Sequence, residues 1–244
     1  TGFALINQYT ANNQWQQAVE TGKKYIKKYP SNYYIGLKYA KALCETGQYQ
    51  PCISLLNKMQ VLPNEGSYAG RAVYRAANLY QAMEQLSRKN YRQVMRNVEA
   101  SKEWPENLGV GKPYDDMIDS RLEDYLEAKA LMGQRDNQKA ATLLSSVAGY
   151  KTSRSRFGSG NLLTALALRE LGKEVEADRM VASWETDFPE NRITQWCAAV
   201  YRGEMEKASG MLKSRNEQAD TTPWETSFRD SNFDLIVRLF STAD

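Results

Sequence analysis

The feature that most constrains this chain is a phrase that returns along it. Aligning "NNQWQQAVETGKKYIKKYPSN" with "TGQYQPCISLLNKMQVLPNE" sets Trp15 over Tyr49 and Ala18 over Cys52, each 34 residues apart, while Pro30 and Pro63 lie 33 apart. The phrase is an aromatic or apolar residue, a small residue three on, an apolar residue about four later, and then a proline. It comes back in "KNYRQVMRNVEASKEWPEN" and "GKEVEADRMVASWETDFPEN". That period belongs to paired helices, because a single helical hairpin cannot bury its own apolar face and relies on the next one to cover it.

Composition agrees with helices. Ala 25 and Leu 22 against Val 11 and Ile 7 is an excess of unbranched helix formers over β-branched residues, and no stretch alternates apolar with polar residues long enough for a sheet. The expected fold is all-α, with about six helix pairs at 1–32, 33–66, 67–107, 113–149, 158–189 and 190–216 and a C-terminal cap at 223–241, all in one helical-repeat domain. Turns are expected near Asn12 and Asn13, Gly47, Lys89 and Asn90, Gly133 to Asp136, Gly172 and Gly203. Pro51 and Pro223 suit first helical turns, and Pro30, Pro63, Pro105 and Pro189 suit positions just past helix ends.

These positions carry a resemblance. Ala40, Leu43, Gly47, Tyr49, Leu56 and Pro63, and again Ala165, Leu168, Gly172, Ala177, Trp184 and Pro189, resemble the consensus of the tetratricopeptide repeat family. The resemblance implies a right-handed α-α superhelix, a tetratricopeptide-like solenoid. Gly36 departs from it by standing where the family has Trp, Cys52 replaces a small Ala, and the third and fourth repeats are longer. "WPENLGVGKP" and "NLLTALALRELGKEVEA" are also similar to the helical-repeat C-terminal region of large bacterial proteins with a mutarotase-like β-sandwich upstream. That likeness implies a carbohydrate-related parent. The opening "TGFALINQYT" has no Met and reads as the interior of a helix, so the chain is expected to be a piece of a longer protein. The cytoplasm is the expected compartment, and the periplasm stays open.

The absence of histidine removes Ser-His and Cys-His nucleophile pairs and every histidine-containing metal site. Cys44, Cys52 and Cys197 form no CxxC pair and read as buried free thiols. No apolar run of 18 residues occurs, so membrane insertion is not expected. Charge is unevenly spread, since residues 1–60 carry seven lysines against Glu20 and Glu45, whereas residues 101–127 carry eight acids against Lys102, Lys112 and Arg121.

Several stretches invite a chemical reading. "ENLGVGK" fails as a phosphate loop, because Glu106 takes the first glycine position and Pro113 the hydroxyl position, and proline supplies no N–H. Asp115, Asp116, Asp119, Glu123, Asp124 and Glu127 have spacings that could align carboxylates for a metal or for acid-base work, but they also suit a helix start, where negative charge offsets the dipole. Lys23, Lys24, Lys27 and Lys28, interleaved with Tyr25, Ile26 and Tyr29, read as a solvated lysine face rather than a nucleic-acid surface. In "RAVYRAANLYQAM", Arg71, Tyr74, Arg75 and Asn78 form the candidate partner-binding stripe, exposed toward a groove, with Ala72, Ala76, Leu79 and Met83 packing behind. Lys151, Arg154 and Arg156 before a helix start form a candidate anion site. The lysine and asparagine pair of a carboxylate clamp is absent.

The expected function is a non-enzymatic interaction module that binds a peptide, a partner protein or an upstream domain of its own chain through a concave groove. No catalytic, cofactor or metal residue is expected, and neither nucleic acid nor membrane insertion. The alternative is a carbohydrate-handling part of a multidomain enzyme, with Asp116, Asp119 and Glu123 as carboxylates.

Overall fold

Among the described residues one turn recurs six times. Asn13, Gly47, Lys89, Arg135, Gly172 and Gly203 all have left-handed backbone, with φ between 55° and 76°. At each, the N–H of the following residue reaches back to a carbonyl in the helix just ended, from Gln14 to Tyr9, Gln48 to Leu43, Asn90 to Gln85, Asp136 to Leu131, Lys173 to Leu168 and Glu204 to Ala199, at 2.8 or 2.9 Å. This is the Schellman closure, which satisfies a carbonyl that the helix end leaves unpaired. A new helix begins two residues past each left-handed residue, at Trp15, Tyr49, Tyr91, Asn137, Glu174 and Met205. Three residues into each of these helices sits a small or short apolar side chain, Ala18, Cys52, Val94, Ala140, Ala177 or Ala208, no more than 2% exposed.

The computed structural model describes residues 2–63, 68–151, 157–216, 230 and 232–241. Among them the chain is all-helical and no strand occurs. The helices are α1 (Gly2–Ala11), α2 (Trp15–Lys28), α3 (Tyr33–Glu45), α4 (Tyr49–Lys58), α5 (Ala69–Ser87), α6 (Tyr91–Lys102), α7 (Arg121–Gly133), α8 (Asn137–Ala148), α9 (Gly160–Glu170), α10 (Glu174–Asp187), α11 (Arg192–Tyr201), α12 (Met205–Asn216) and α13 (Phe233–Ser241). Two helix starts are fixed by asparagine caps that follow a proline: Asn32 Oδ1 accepts from Ile35 N–H at 3.1 Å, and Asn191 Oδ1 accepts from Thr194 N–H at 3.0 Å. Such a cap is worth about 1 kcal/mol. Pro51 lies in the first turn of α4, whereas Pro223 lies outside the described residues.

The chain forms two compact units, residues 1–84 with 95–118, and residues 85–94 with 119–244. In the first, α1 to α4 enclose Ile6, Ala18, Ala40, Leu43, Cys52 and Leu56, and Leu108 joins the same core from the connection after α6. Gly36 is where the family resemblance expects Trp, and Met59 fills that space: a Cβ on Gly36 would lie 2.5 Å from the Met59 methyl. Gly109 has φ of 73°, and a Cβ there would come within 2.8 Å of the Val61 carbonyl. Its role is therefore a close backbone approach.

In the second unit Trp196, Phe233, Leu122, Leu126, Leu162, Leu163, Leu168 and Ile193 are among the large core side chains that are 2% exposed or less. A fully buried leucine or isoleucine contributes about 1.5–3 kcal/mol relative to an exposed one. Trp196 of α11 meets Phe233 and Phe240 of α13, edge to face, at 5.3 and 6.5 Å between ring centroids. The entry to α13 is also tied by Asp230, whose carboxylate accepts from Ser159 N–H at 2.6 Å and from Asn232 N–H at 3.0 Å. The three cysteines are buried free thiols, and burial first, then the Asp230 carboxylate, pushes the Cys197 thiol well above its ordinary pKa.

Candidate functional site

The α5 stripe turns inward. Arg71, Tyr74 and Asn78 are 5%, 4% and 3% exposed, Arg75 is half-buried, and Ala72 is exposed. Leu79 and Met83 are buried as expected, but the expectation of exposed arginines backed by Ala72 and Ala76 is corrected here, since Arg71, Tyr74, Ala77, Asn78 and Ala82 are buried with them. The reason lies in what faces them. Arg71 Nη2 donates to the Ser101 carbonyl at 2.6 Å, and its guanidinium lies 4.6 Å from the centre of the Trp104 ring. The Tyr74 hydroxyl donates to Glu103 Oε2 at 3.2 Å, and Asn78 Nδ2 donates to the Tyr74 carbonyl at 2.9 Å. Burial first, and the Glu103 carboxylate second, raise the Tyr74 phenol above its ordinary pKa, so it remains a donor. Arg71 and Tyr74 thus fasten the end of α6.

The acids stand in different settings. Asp115 and Asp116 are exposed, and Asp115 pairs with Lys112 at 2.7 Å. Asp119 clasps Arg121, with Nε and Nη2 donating at 2.9 and 2.7 Å. Glu123, which is buried, and Asp124 lie in the first turn of α7, where they offset its dipole. Among the described residues no group of three or more acids and cysteines has the proximity to hold a metal ion.

Arg121, counted in the sequence only as a charge, is the hub of a polar cluster in the second unit. It is 6% exposed. Besides Asp119, its Nη1 donates to Asn161 Oδ1 at 2.9 Å and Thr164 Oγ1 at 3.2 Å, and its plane lies 4.4 Å from the Tyr150 ring centre. Thr164 in turn donates to the Val147 carbonyl at 3.2 Å. The guanidinium occupies the space in front of Gly160, where a Cβ would lie 2.4 Å from Nη2. The nearest signal in sequence was the spacing of Asp119 and Arg121, two residues apart at a helix start. Of the proposed anion residues, Lys151 is exposed, and Arg154 and Arg156 lie outside the described residues.

A cleft of about 350 Å³ opens elsewhere, on the first unit, lined by Asn7, Thr10 and Ala11 of α1 and by Lys38 and Lys41 of α3. The two helices pack together along this face. Lys41 also lies 5.6 Å from the centre of the Trp15 ring, a cation–π contact that limits its wandering. Neither lysine stood out in the sequence, because three and four residues of spacing on a helix look the same for a solvated face as for a cleft. Chemically the cleft offers two ammonium donors and an amide, the Thr10 hydroxyl donating to the Asn7 carbonyl at 3.0 Å, a set that suits an acidic or carbonyl-rich ligand. No family model matches the chain, and no curated protein or solved structure matches it either.

Proposed function

We propose that the chain is a non-enzymatic helical-repeat interaction module of tetratricopeptide-like kind, six hairpins of a right-handed superhelix plus a C-terminal cap. It binds a peptide, a partner protein or another domain of its own parent chain. The observation that carries this reading is the recurrence of one turn geometry with a buried small residue at the same offset in the following helix. A repeated hairpin of that kind builds extended surfaces from the first helix of each pair, and α1 and α3 are first helices. The positions that carry the family resemblance point the same way, since Ala40, Leu43, Leu56, Ala165, Leu168 and Ala177 are all buried.

The α1–α3 cleft is the surface we assign to the partner. Lys38 and Lys41 supply its charge. The test is recovery of partners from the source cell by immobilised wild-type protein and by Lys38→Glu/Lys41→Glu at matched thermal stability. Loss of a specific partner with the double variant supports the cleft. Equal recovery by both proteins removes the cleft as the partner surface, and turnover of a glycoside by the fragment would replace the module reading with an enzymatic one.

A further inference from the structure

We propose that one end of the first unit, where α1 begins, α2 ends and α3 begins, is a docking surface for an anionic lipid bilayer, gripping headgroups with lysines and the interfacial zone with aromatic rings. Among the described residues the exposed aromatic rings are Phe3, Tyr29, Tyr34, Tyr68 and Tyr114, and the first three gather here with exposed Leu5. Contacts tie the start of α1 to α2 and to the start of α3. A Cβ on Gly2 would lie 2.3 Å from the Tyr25 ring, which places the start of α1 against the last turns of α2. Phe3 meets Tyr34 edge to face at 6.2 Å, and Tyr34 stacks on Tyr33 at 4.2 Å. Lys24 Nζ sits 5.7 Å from the centre of the Tyr25 ring, and Lys28 Nζ 5.4 Å from that of Tyr29.

Charge selects the partner. Lys23, Lys24, Lys27 and Lys28 are exposed, and the first 44 residues hold Glu20 as their one acid. Beside the lysines an open hollow of about 460 Å³ is lined by Lys28, Tyr29, Pro30, Ser31 and Asn32, a mixture of ammonium, phenol, hydroxyl and amide that suits a phosphodiester headgroup. Two of the lysines lie in the last turn of α2, where they also offset the dipole; that accounts for Lys27 and Lys28 but not for Phe3, Leu5 and Tyr34 standing in water beside them. A single-stranded nucleic acid would need free ring faces for its bases, yet Tyr34 already spends one face on Tyr33. A bilayer needs only ring edges and apolar tips at headgroup depth, with basic side chains close to the surface. The surface is peripheral, and among the described residues no helix is long and apolar enough to cross a membrane.

The experiment is vesicle flotation at about 0.1 M salt, where charges within roughly 10 Å of the headgroups still act. Vesicles of phosphatidylcholine alone are compared with vesicles that also contain phosphatidylglycerol. Wild type should float with the anionic vesicles and not with the neutral ones. Lys24→Glu/Lys27→Glu/Lys28→Glu should lose partitioning by at least about a hundredfold, since each lysine near an anionic surface is worth about fivefold. Phe3→Ser/Tyr34→Ser should lose about tenfold and retain the melting temperature. No flotation with anionic vesicles, or flotation that the lysine variant leaves unchanged, overturns the proposal. So does vesicle binding that ignores the aromatic pair while a single-stranded oligonucleotide binds as well, because the patch would then be a site for polyanions in general.

Discussion

Among the described residues each unit buries one arginine near the start of a helix and roofs it with an aromatic ring from beyond the next helix, and the partners seen at the two differ in kind. Arg71 of the first unit donates to a backbone carbonyl, that of Ser101, beneath Trp104. Arg121 of the second unit donates to the Asp119 carboxylate, to Asn161 and to Thr164, beneath Tyr150. The difference shows in what depends on each. Arg71 fastens the last turn of α6, whereas Arg121 joins the entry to α7 with the start of α9 and, through Thr164, the end of α8. A buried charge that serves several side chains is costly to remove, because every partner is left behind unpaired.

The largest effect is therefore expected from Arg121→Ala. It abandons the Asp119 carboxylate, and breaking such a pair costs about 3–5 kcal/mol in a closed interior. Asp119 keeps 27% exposure of its side chain, so the low end applies, about 3 kcal/mol in urea unfolding. Arg71→Ala should cost about 2 kcal/mol, with loss of the Ser101 bond and the Trp104 contact among its causes. Had the arginine stripe been exposed, that substitution would have left folding untouched; burial reverses the expectation. Equal losses at the two sites would break the contrast between hub and fastener.

The turns between helices were legible because their signals are local. Asn13, Gly47, Gly172 and Gly203 are turn-formers by backbone preference, and the small residue that comes after has nowhere to go but the packed face of its helix. Side-chain partners across distant helices were not legible. "WPEN" and "FPEN" differ in one residue, yet Asn191 caps α11, while Asn107 sends its Nδ2 to the Leu56 and Met59 carbonyls at 2.9 and 2.8 Å and seals the end of α4. The downstream residues decide between the two roles: a helix-forming run after Asn191, and after Asn107 the left-handed Gly109 that turns the chain away. The Arg71 stripe was misjudged for the same reason, since its periodicity identified one face of α5 but not which face Trp104 and Ser101 would cover.

A glycine beside each arginine sharpens the comparison. Gly160→Ala puts a Cβ 2.4 Å from Arg121 Nη2. The end of a long side chain usually moves aside cheaply, but this one is held by Asp119, Asn161 and Thr164, so the expected loss is about 1–2 kcal/mol. In an Arg121→Ala background the same substitution should cost much less, because the space it needs is then vacant. A double-mutant cycle reads the coupling directly. Additive losses would mean that the guanidinium is not what Gly160 accommodates.

Gly70→Ala, one residue before Arg71, is expected to have the smallest effect. Its new Cβ would lie 3.3 Å from Leu37 Cδ2 and 3.5 Å from Leu108 Cβ, close contacts that ask Leu37 to give by a few tenths of an ångström. Against that, removing a glycine from a helix gains about 0.5–1 kcal/mol by restricting the unfolded chain, less near a helix start, and Gly70 is the second residue of α5. The two nearly cancel, so the urea midpoint should correspond to a change within about 0.5 kcal/mol of wild type. None of the groups that a Cβ on Gly70 would meet belongs to the Arg71 cluster, so Gly70→Ala and Arg71→Ala should also add without coupling. A loss at Gly70 as large as that at Gly160 would show that the surroundings of Arg71 are as tightly interlocked as those of Arg121, and the distinction between the two arginines would fall.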